Sequence, residues 1–141
     1  MGASIMFHHA IPVHDLAEAH AFYVDLLGCG TGKTTDRRLN IDFFGHHLVV
    51  HRVAPEVAAR QRAASAGEQA AWRHFGVMLD WADWEQLAGR LKQKGASFVL
   101  APHIRHAGEP REEALMFLRD PAGNGVEFKT FRDVRFAFQN G

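Results

Sequence analysis

Two imidazoles and one carboxylate stand out in this 141-residue chain: His8 in MFHHAIPV, His74 in HFGVMLD and Glu127 in NGVEFKTF. Alternation along these runs predicts strands over residues 6–13, 74–80 and about 125–131. In the first, Phe7, His9, Ile11 and Val13 share one face, and Met6, His8, Ala10 and Pro12 the other. In the second, Phe75, Val77 and Leu79 oppose His74, Gly76 and Met78; in the third, Val126, Phe128 and Thr130 oppose Glu127 and Lys129. A carboxylate interrupting an apolar strand is costly unless something cationic satisfies it. Two neutral imidazoles and a carboxylate form a hard-to-borderline ligand set for a divalent metal, and they leave positions open for substrate or water. Each residue also has a plainer reading. A strand histidine can be a satisfied, partly buried residue, and Glu127 can pair with Lys129 or an arginine.

The elements that must position these groups are written twice. After the first strand, Asp15 and Glu18 form a capping-box pattern, Leu16, Ala19, His20, Tyr23 and Leu27 keep helical spacing, and Gly28 offers a stop. A turn-rich stretch, GCGTGKTTD, precedes strand-like LNIDFF (39–44) and HLVVHRV (47–53), with Gly45 between them as in a hairpin. Residues 54–72 are rich in Ala and polar side chains with weak apolar periodicity, which predicts a linker that admits a short helix. The pattern then restarts. Asp83 and Gln86 repeat the capping box, Trp84, Leu87, Ala88 and Leu91 repeat the apolar stripe, and Gly95 repeats the stop. Strands are predicted at about 97–100, 114–119 and 125–131, with DPAGN (120–124) as a turn. His8 to Gly28 spans 20 residues and His74 to Gly95 spans 21, and a small residue (Ala10, Gly76) follows each histidine two places on, leaving room before the imidazole. The reading is one α+β domain over 1–141 built from two βαβββ modules: module one about 5–53, linker 54–72, module two about 73–132.

Composition excludes several classes. Hydrophobic residues make up 47% and charged residues 23%, an ordinary globular mixture, and a formal net charge of zero gives no basic field for nucleic acid or anionic lipid. A single cysteine, Cys29, removes disulfide scaffolds and thiolate zinc sites within one chain. No apolar run approaches the roughly 18 residues of a membrane span. MGASIMFHH lacks the basic-then-apolar order of a signal peptide, so a cytoplasmic location is expected. GCGTGKTTD does not match the phosphate-loop spacing and is assigned to a turn.

The stretches H-HAIPVHDL-AEAHAFYVDLLG, HFGVMLDWADWEQLAGRLKQKGA and FLRDPAGNGVEF carry a resemblance over about residues 5–132. The chain resembles the vicinal oxygen chelate superfamily, which includes glyoxalase I, extradiol dioxygenases, fosfomycin-resistance thiol transferases and bleomycin-resistance proteins. FLRDPAGNGVEF is similar to the most specific signature of that superfamily, a "DP-G-N-x-x-E" hairpin. The resemblance implies paired βαβββ modules whose mixed sheets curl round a shared cavity. It implies one divalent metal ion, with Fe(II) or Mn(II) ahead of Zn(II) or Ni(II), and His8, His74 and Glu127 at three metal-ligand positions. His8 is preferred to His9 because it stands seven residues before Asp15, as the first family ligand does; His9 then falls on the helix-packing side. The chain departs from the four-ligand glyoxalase I pattern, because HHLVVHRV has no acid; His47 or His51 could substitute, yet neither is a family match.

Other features bear on substrate. PHIRHAGEPREEA (102–114) is read as a polar loop that could form a cavity rim, where Arg105 would bind a carboxylate and His103 would act as acid or base. Tyr23, Trp81 and Trp84 are read as helix–sheet packing, and the aromatic tail FRDVRFAFQNG as cover for a sheet edge or a homodimer partner. The expected function is a metal-dependent enzyme acting on a small molecule that chelates the metal through adjacent oxygens, narrowly dioxygenase-like, because iron suits two histidines and one carboxylate. The alternatives are a metal-free drug- or metabolite-binding protein of the bleomycin-resistance kind and a glyoxalase-type lyase or isomerase.

Overall fold

The computed structural model describes residues 5–64 and 73–139, so part of the predicted linker, 65–72, lies outside the described residues. The chain divides into two compact units, Met1–Trp72 with Asp120–Asn124, and Arg73–Arg119 with Gly125–Gly141.

The first unit runs β1 (His8–Val13), α1 (Leu16–His20), a π-helical turn (Ala21–Leu26), β2 (Gly30–Thr34), β3 (Arg38–Phe43), β4 (His46–Arg52) and α2 (Pro55–Ala64). Its sheet order is β1-β4-β3-β2, with β1 parallel to β4 and the other pairs antiparallel. Alternation places Ile11 and Val13 from β1 and Leu39, Ile41 and Phe43 from β3 in the core, beside Ala19, Phe22 and Tyr23 of the helical segment. Asp15 caps α1 as predicted, its Oδ1 accepting from the Glu18 amide at 3.0 Å, while the Glu18 carboxylate lies 3.3 Å from His14 Nε2. Gly28 ends the helical segment at φ +83°, a conformation that favours glycine.

The second unit repeats this plan with β5 (His74–Met78), α3 (Trp81–Gln93), β6 (Phe98–Arg105), β7 (Glu113–Arg119) and β8 (Gly125–Phe131), followed by a short 3-10 turn, Val134–Ala137. The order β5-β8-β7-β6, with β5 parallel to β8, is that of the first unit. The βαβββ repeat read from histidine and glycine spacing is therefore the architecture, as two four-stranded mixed sheets. Trp84, Leu87, Ala88 and Leu91 form the buried stripe of α3. Trp84 Nε1 donates to the Phe128 carbonyl at 2.9 Å and ties α3 to β8 beside Glu127. Replacing Trp84 with Phe should cost about 2 kcal/mol, because this hydrogen bond is lost and a small void opens. Chemical denaturation of the variant checks this.

Several local expectations are corrected. GTGKT is not a turn but the edge strand β2, exposed at every position and joined to β3 through a bulge between Thr31 and Thr34. The N-cap of α3 is Asp80, not Asp83, and its side chain makes no capping bond. Trp81 already belongs to the helix, with its Nε1 on Glu85 at 2.9 Å and Arg132 stacked 3.6 Å over its ring. Asp83 falls in the first turn, where its charge suits the helix dipole. Strand β6 continues to Arg105, so residues 102–105, read as loop, are strand, and the connection to β7 begins at His106. Phe138 in the tail is 86% exposed. Among the described residues, no helix is long and apolar enough to cross a membrane.

The turn DPAGN belongs to the first unit. Asp120 Oδ1 accepts from the Ala122 and Asn124 amides at 3.0 and 2.8 Å, and Oδ2 accepts from Tyr23 Oη at 2.7 Å and Asn124 Nδ2 at 2.9 Å. Asn124 Nδ2 also reaches the Pro12 carbonyl at 3.0 Å. Gly123 holds φ +92°, which the tight turn requires.

Candidate metal centre

In the second unit, β5 and β8 run parallel with His74 opposite Gly125 and Gly76 opposite Glu127. His74 and Glu127 are therefore two register steps apart on one sheet face, and the side chains close that gap: His74 Nε2 lies 2.8 Å from Glu127 Oε2. Two glycines make this approach possible. A Cβ at position 76 would overlap the Glu127 carbonyl oxygen. A Cβ at position 125 would stand 2.8 Å from the Phe117 ring and 3.0 Å from His74 Cβ. Phe117 meets the His74 ring edge-on at 5.1 Å and limits its rotation. The pair opens on a cavity of about 370 Å³, lined by His74, Gly76, Val77, Met78, Glu127 and Lys129 among others. This is the sheet face predicted from alternation, since Val126, Phe128 and Thr130 are buried on the opposite side.

Glu127 does not pair with Lys129. The Lys129 ammonium lies 3.5 Å from Glu113 Oε2, and Arg105 approaches Glu113 Oε1 at 3.9 Å. Glu113, almost fully buried, thus anchors both cations from β7. His103 Nδ1 donates to the Ala101 carbonyl at 2.8 Å, since a carbonyl can only accept. A neutral His103 then presents Nε2 as its acceptor.

In the first unit, His8 stands directly opposite His47 on β4, and their Nδ1 atoms are 2.9 Å apart. The rings stack with centroids 4.8 Å apart and an interplanar angle of 28°. His9 turns to the helix side, where burial first and the adjacent His8 second lower it below the usual imidazole value. This is the face that alternation along the strand assigns to His9. The Cys29 thiol, buried in the same unit, is pushed up to about 12, mainly by burial and then by the Asp42 carboxylate, so it stays protonated and is no nucleophile.

The structure thus brings His74 and Glu127 together in the second unit, and places His8 in the first unit beside His47. Among the described residues, neither unit by itself gathers three His, Cys, Asp or Glu side chains for an ion. Each pair nonetheless fits two sites on a divalent metal. Bonds of about 2.0–2.2 Å at a right angle put two donor atoms about 3 Å apart, close to the 2.9 and 2.8 Å observed. Sequence reading left His47 and His51 as alternatives for a further ligand; the parallel register places His47 opposite His8 and His51 opposite Pro12. It missed Phe117 and Gly125, whose roles depend on cross-strand neighbours.

The family model of the Glyoxalase/Bleomycin resistance protein/Dioxygenase superfamily matches residues 5–128. The chain belongs to this superfamily. Among solved structures of superfamily type, a glyoxalase/bleomycin resistance protein/dioxygenase from Alicyclobacillus acidocaldarius is 33% identical, with TM-score 0.78 over 95% of this chain and 96% of that one. The fosfomycin resistance protein FosX from Listeria monocytogenes shares the fold at 12% identity and TM-score 0.64, over 92% and 94% of the two chains. A lactoylglutathione lyase from Agrobacterium tumefaciens does so at 18% identity and TM-score 0.60, over 92% and 94%. No curated protein matches the chain. Superfamily membership accounts for the doubled βαβββ plan.

Proposed function

We propose that the protein is a metal-dependent enzyme of this superfamily, in which His8, His74 and Glu127 hold one divalent ion and the substrate is a small molecule chelating through adjacent oxygens. The observation that carries the reading is the His74–Glu127 pair, 2.8 Å apart on the rim of a cavity large enough for a small ligand. When bound, the ion supplies Lewis acidity to the substrate oxygens and, if it is iron, a site for dioxygen chemistry. Glu127 would provide the negative charge that holds the ion, and Phe117 and Gly125 fix the His74 ring beside Glu127. Val77 and Met78 give the cavity an apolar wall that suits a ring or alkyl body. His103 Nε2 is proposed as the proton acceptor, and Arg105, held by Glu113, as the contact for an anionic substrate group. Two histidines and one carboxylate favour Fe(II) or Mn(II) and a dioxygenase-like reaction over isomerase or lyase chemistry.

Metal analysis of protein purified without chelator tests this directly. The expected result is one divalent ion per chain, lost in His74→Ala and in Glu127→Ala, with oxygen uptake on catechols after Fe(II) loading. A native protein that carries no stoichiometric ion and takes up none would overturn the enzyme reading in favour of a metal-free binding protein. Metal binding without oxygen uptake would redirect the reaction to lyase or isomerase type.

A further inference from the structure

We propose that His47 takes the place of a second acidic ligand in the first unit, forming with His8 a two-imidazole chelate for a divalent cation that Asn40 orients. The proposal rests on the metal-dependent reading above and adds to it a ligand that the three-residue set does not contain. The repeat defines what is missing. Gly76 opposes Glu127 in the second unit, and the corresponding first-unit pair is Ala10 opposite Val49. Val49 is buried and has no donor atom. The donor comes instead from two residues earlier on β4, directly across from His8, where the two Nδ1 atoms approach to 2.9 Å.

The hydrogen bonds around His47 fix its protonation. Asn40 Nδ2 donates to the Lys33 carbonyl at 2.6 Å, so Asn40 Oδ1 must be the atom facing His47 Nε2 at 3.1 Å. An amide oxygen only accepts, so His47 carries a hydrogen on Nε2, and in the neutral ring its Nδ1 lone pair points at His8. Metal-binding histidines use this arrangement, with the far nitrogen anchored to an oxygen and the near one left basic. Without a cation, His8 donates Nδ1–H to that lone pair. A cation would be held by both Nδ1 atoms, which requires the hydrogen of a neutral His8 to sit on its Nε2. His47 and Asn40 also line a first-unit cavity of about 250 Å³, which leaves space for the remaining ligands of the ion.

Co(II) titration of the metal-free full chain, followed by calorimetry and visible absorption, tests the proposal with no need for a substrate. His47→Phe keeps a ring in the stack and removes the nitrogens; it should weaken Co(II) by more than 100-fold, roughly, and change the visible spectrum. Asn40→Ala should weaken it about 10- to 100-fold, the usual cost of losing a supporting contact. Circular dichroism and thermal melts show that each variant is folded. Nitrogen NMR of the imidazoles gives a second measure: His47 should be protonated at Nε2 in metal-free protein, and both Nδ1 signals should shift on Zn(II) addition. A His47→Phe variant with native Co(II) affinity and spectrum overturns the inference and leaves the three-residue reading standing. A loss in His47→Phe with none in Glu127→Gln supports the chelate and overturns the three-residue set. Wild-type protein that binds no Co(II) overturns both.

Discussion

Alanine at position 76 should abolish the pairing of β5 with β8 and, with it, the divalent metal binding proposed above. The added methyl would coincide with the Glu127 carbonyl oxygen and crowd the Glu127 amide nitrogen at 3.1 Å. Neither atom is the flexible end of a side chain, so relief requires the two strands to part. The expected loss of stability is more than about 3 kcal/mol, beyond ordinary overpacking, because the clash is with backbone that cannot turn aside. The parallel register puts His74 and Glu127 within reach of each other, so the same shift separates the pair. Urea denaturation and metal titration of Gly76→Ala check both effects. A variant with native stability and native metal affinity would show that β5 and β8 tolerate a side chain there. The small residue two places after His74 does open space, as its position in the sequence implies, but what needs the space is the neighbouring backbone.

Removing the Asp120 side chain should cost about 3–5 kcal/mol. Four donors converge on this nearly inaccessible carboxylate: Tyr23 Oη, Asn124 Nδ2 and the amides of Ala122 and Asn124. Asp120→Ala leaves them without an acceptor, and a buried donor left unsatisfied costs about 1–3 kcal/mol, with partial relief from water. Asp120→Asn should cost less, about 1–3 kcal/mol, because one amide nitrogen would face the Asn124 donor. The pH dependence has a definite sign. Burial raises the Asp120 carboxyl above its usual value against the pull of its four donors, so the folded state holds this proton more tightly than the unfolded chain does. That contribution is complete below the ordinary carboxylate value of about 4 and fades as pH rises through the raised folded value. Denaturation midpoints of wild type and Asp120→Asn compared across this window should converge as pH rises. A gap that is widest at high pH would contradict the assignment.

What the sequence disclosed depended on burial. Leu39, Ile41 and Phe43 alternate because one face of β3 is core, and Trp84, Leu87, Ala88 and Leu91 recur because one face of α3 is core; both patterns were visible, as was the repeat they build. Glu127 was legible for the converse reason, as a charge on an apolar strand. Strand β2 was not, because GTGKT is exposed on both faces and its edge position imposes no alternation. The cap of α3 was misplaced because Asp80 and Asp83 are both good capping residues, and the packing of Trp81 against Arg132 decides between them. The π-helical turn at Ala21–Leu26 preserves the buried face through Phe22 and Tyr23, so spacing alone does not distinguish it from a regular helix. His47 was read only as an alternative to His51 for a further ligand. Its meaning depends on which residue β1 places opposite it, a fact of pairing across 39 positions that local pattern does not contain.

The membership of Asp120–Asn124 in the first unit has a consequence for how the chain is made. During synthesis, Tyr23 and the Pro12 carbonyl emerge early, but their partners Asp120 and Asn124 follow about a hundred positions later. The first unit must therefore wait, with a buried hydroxyl unsatisfied, while all of β5 to β7 is translated. An N-terminal half expressed alone is an unfinished object, and supplying the DPAGN segment in trans should be what completes it.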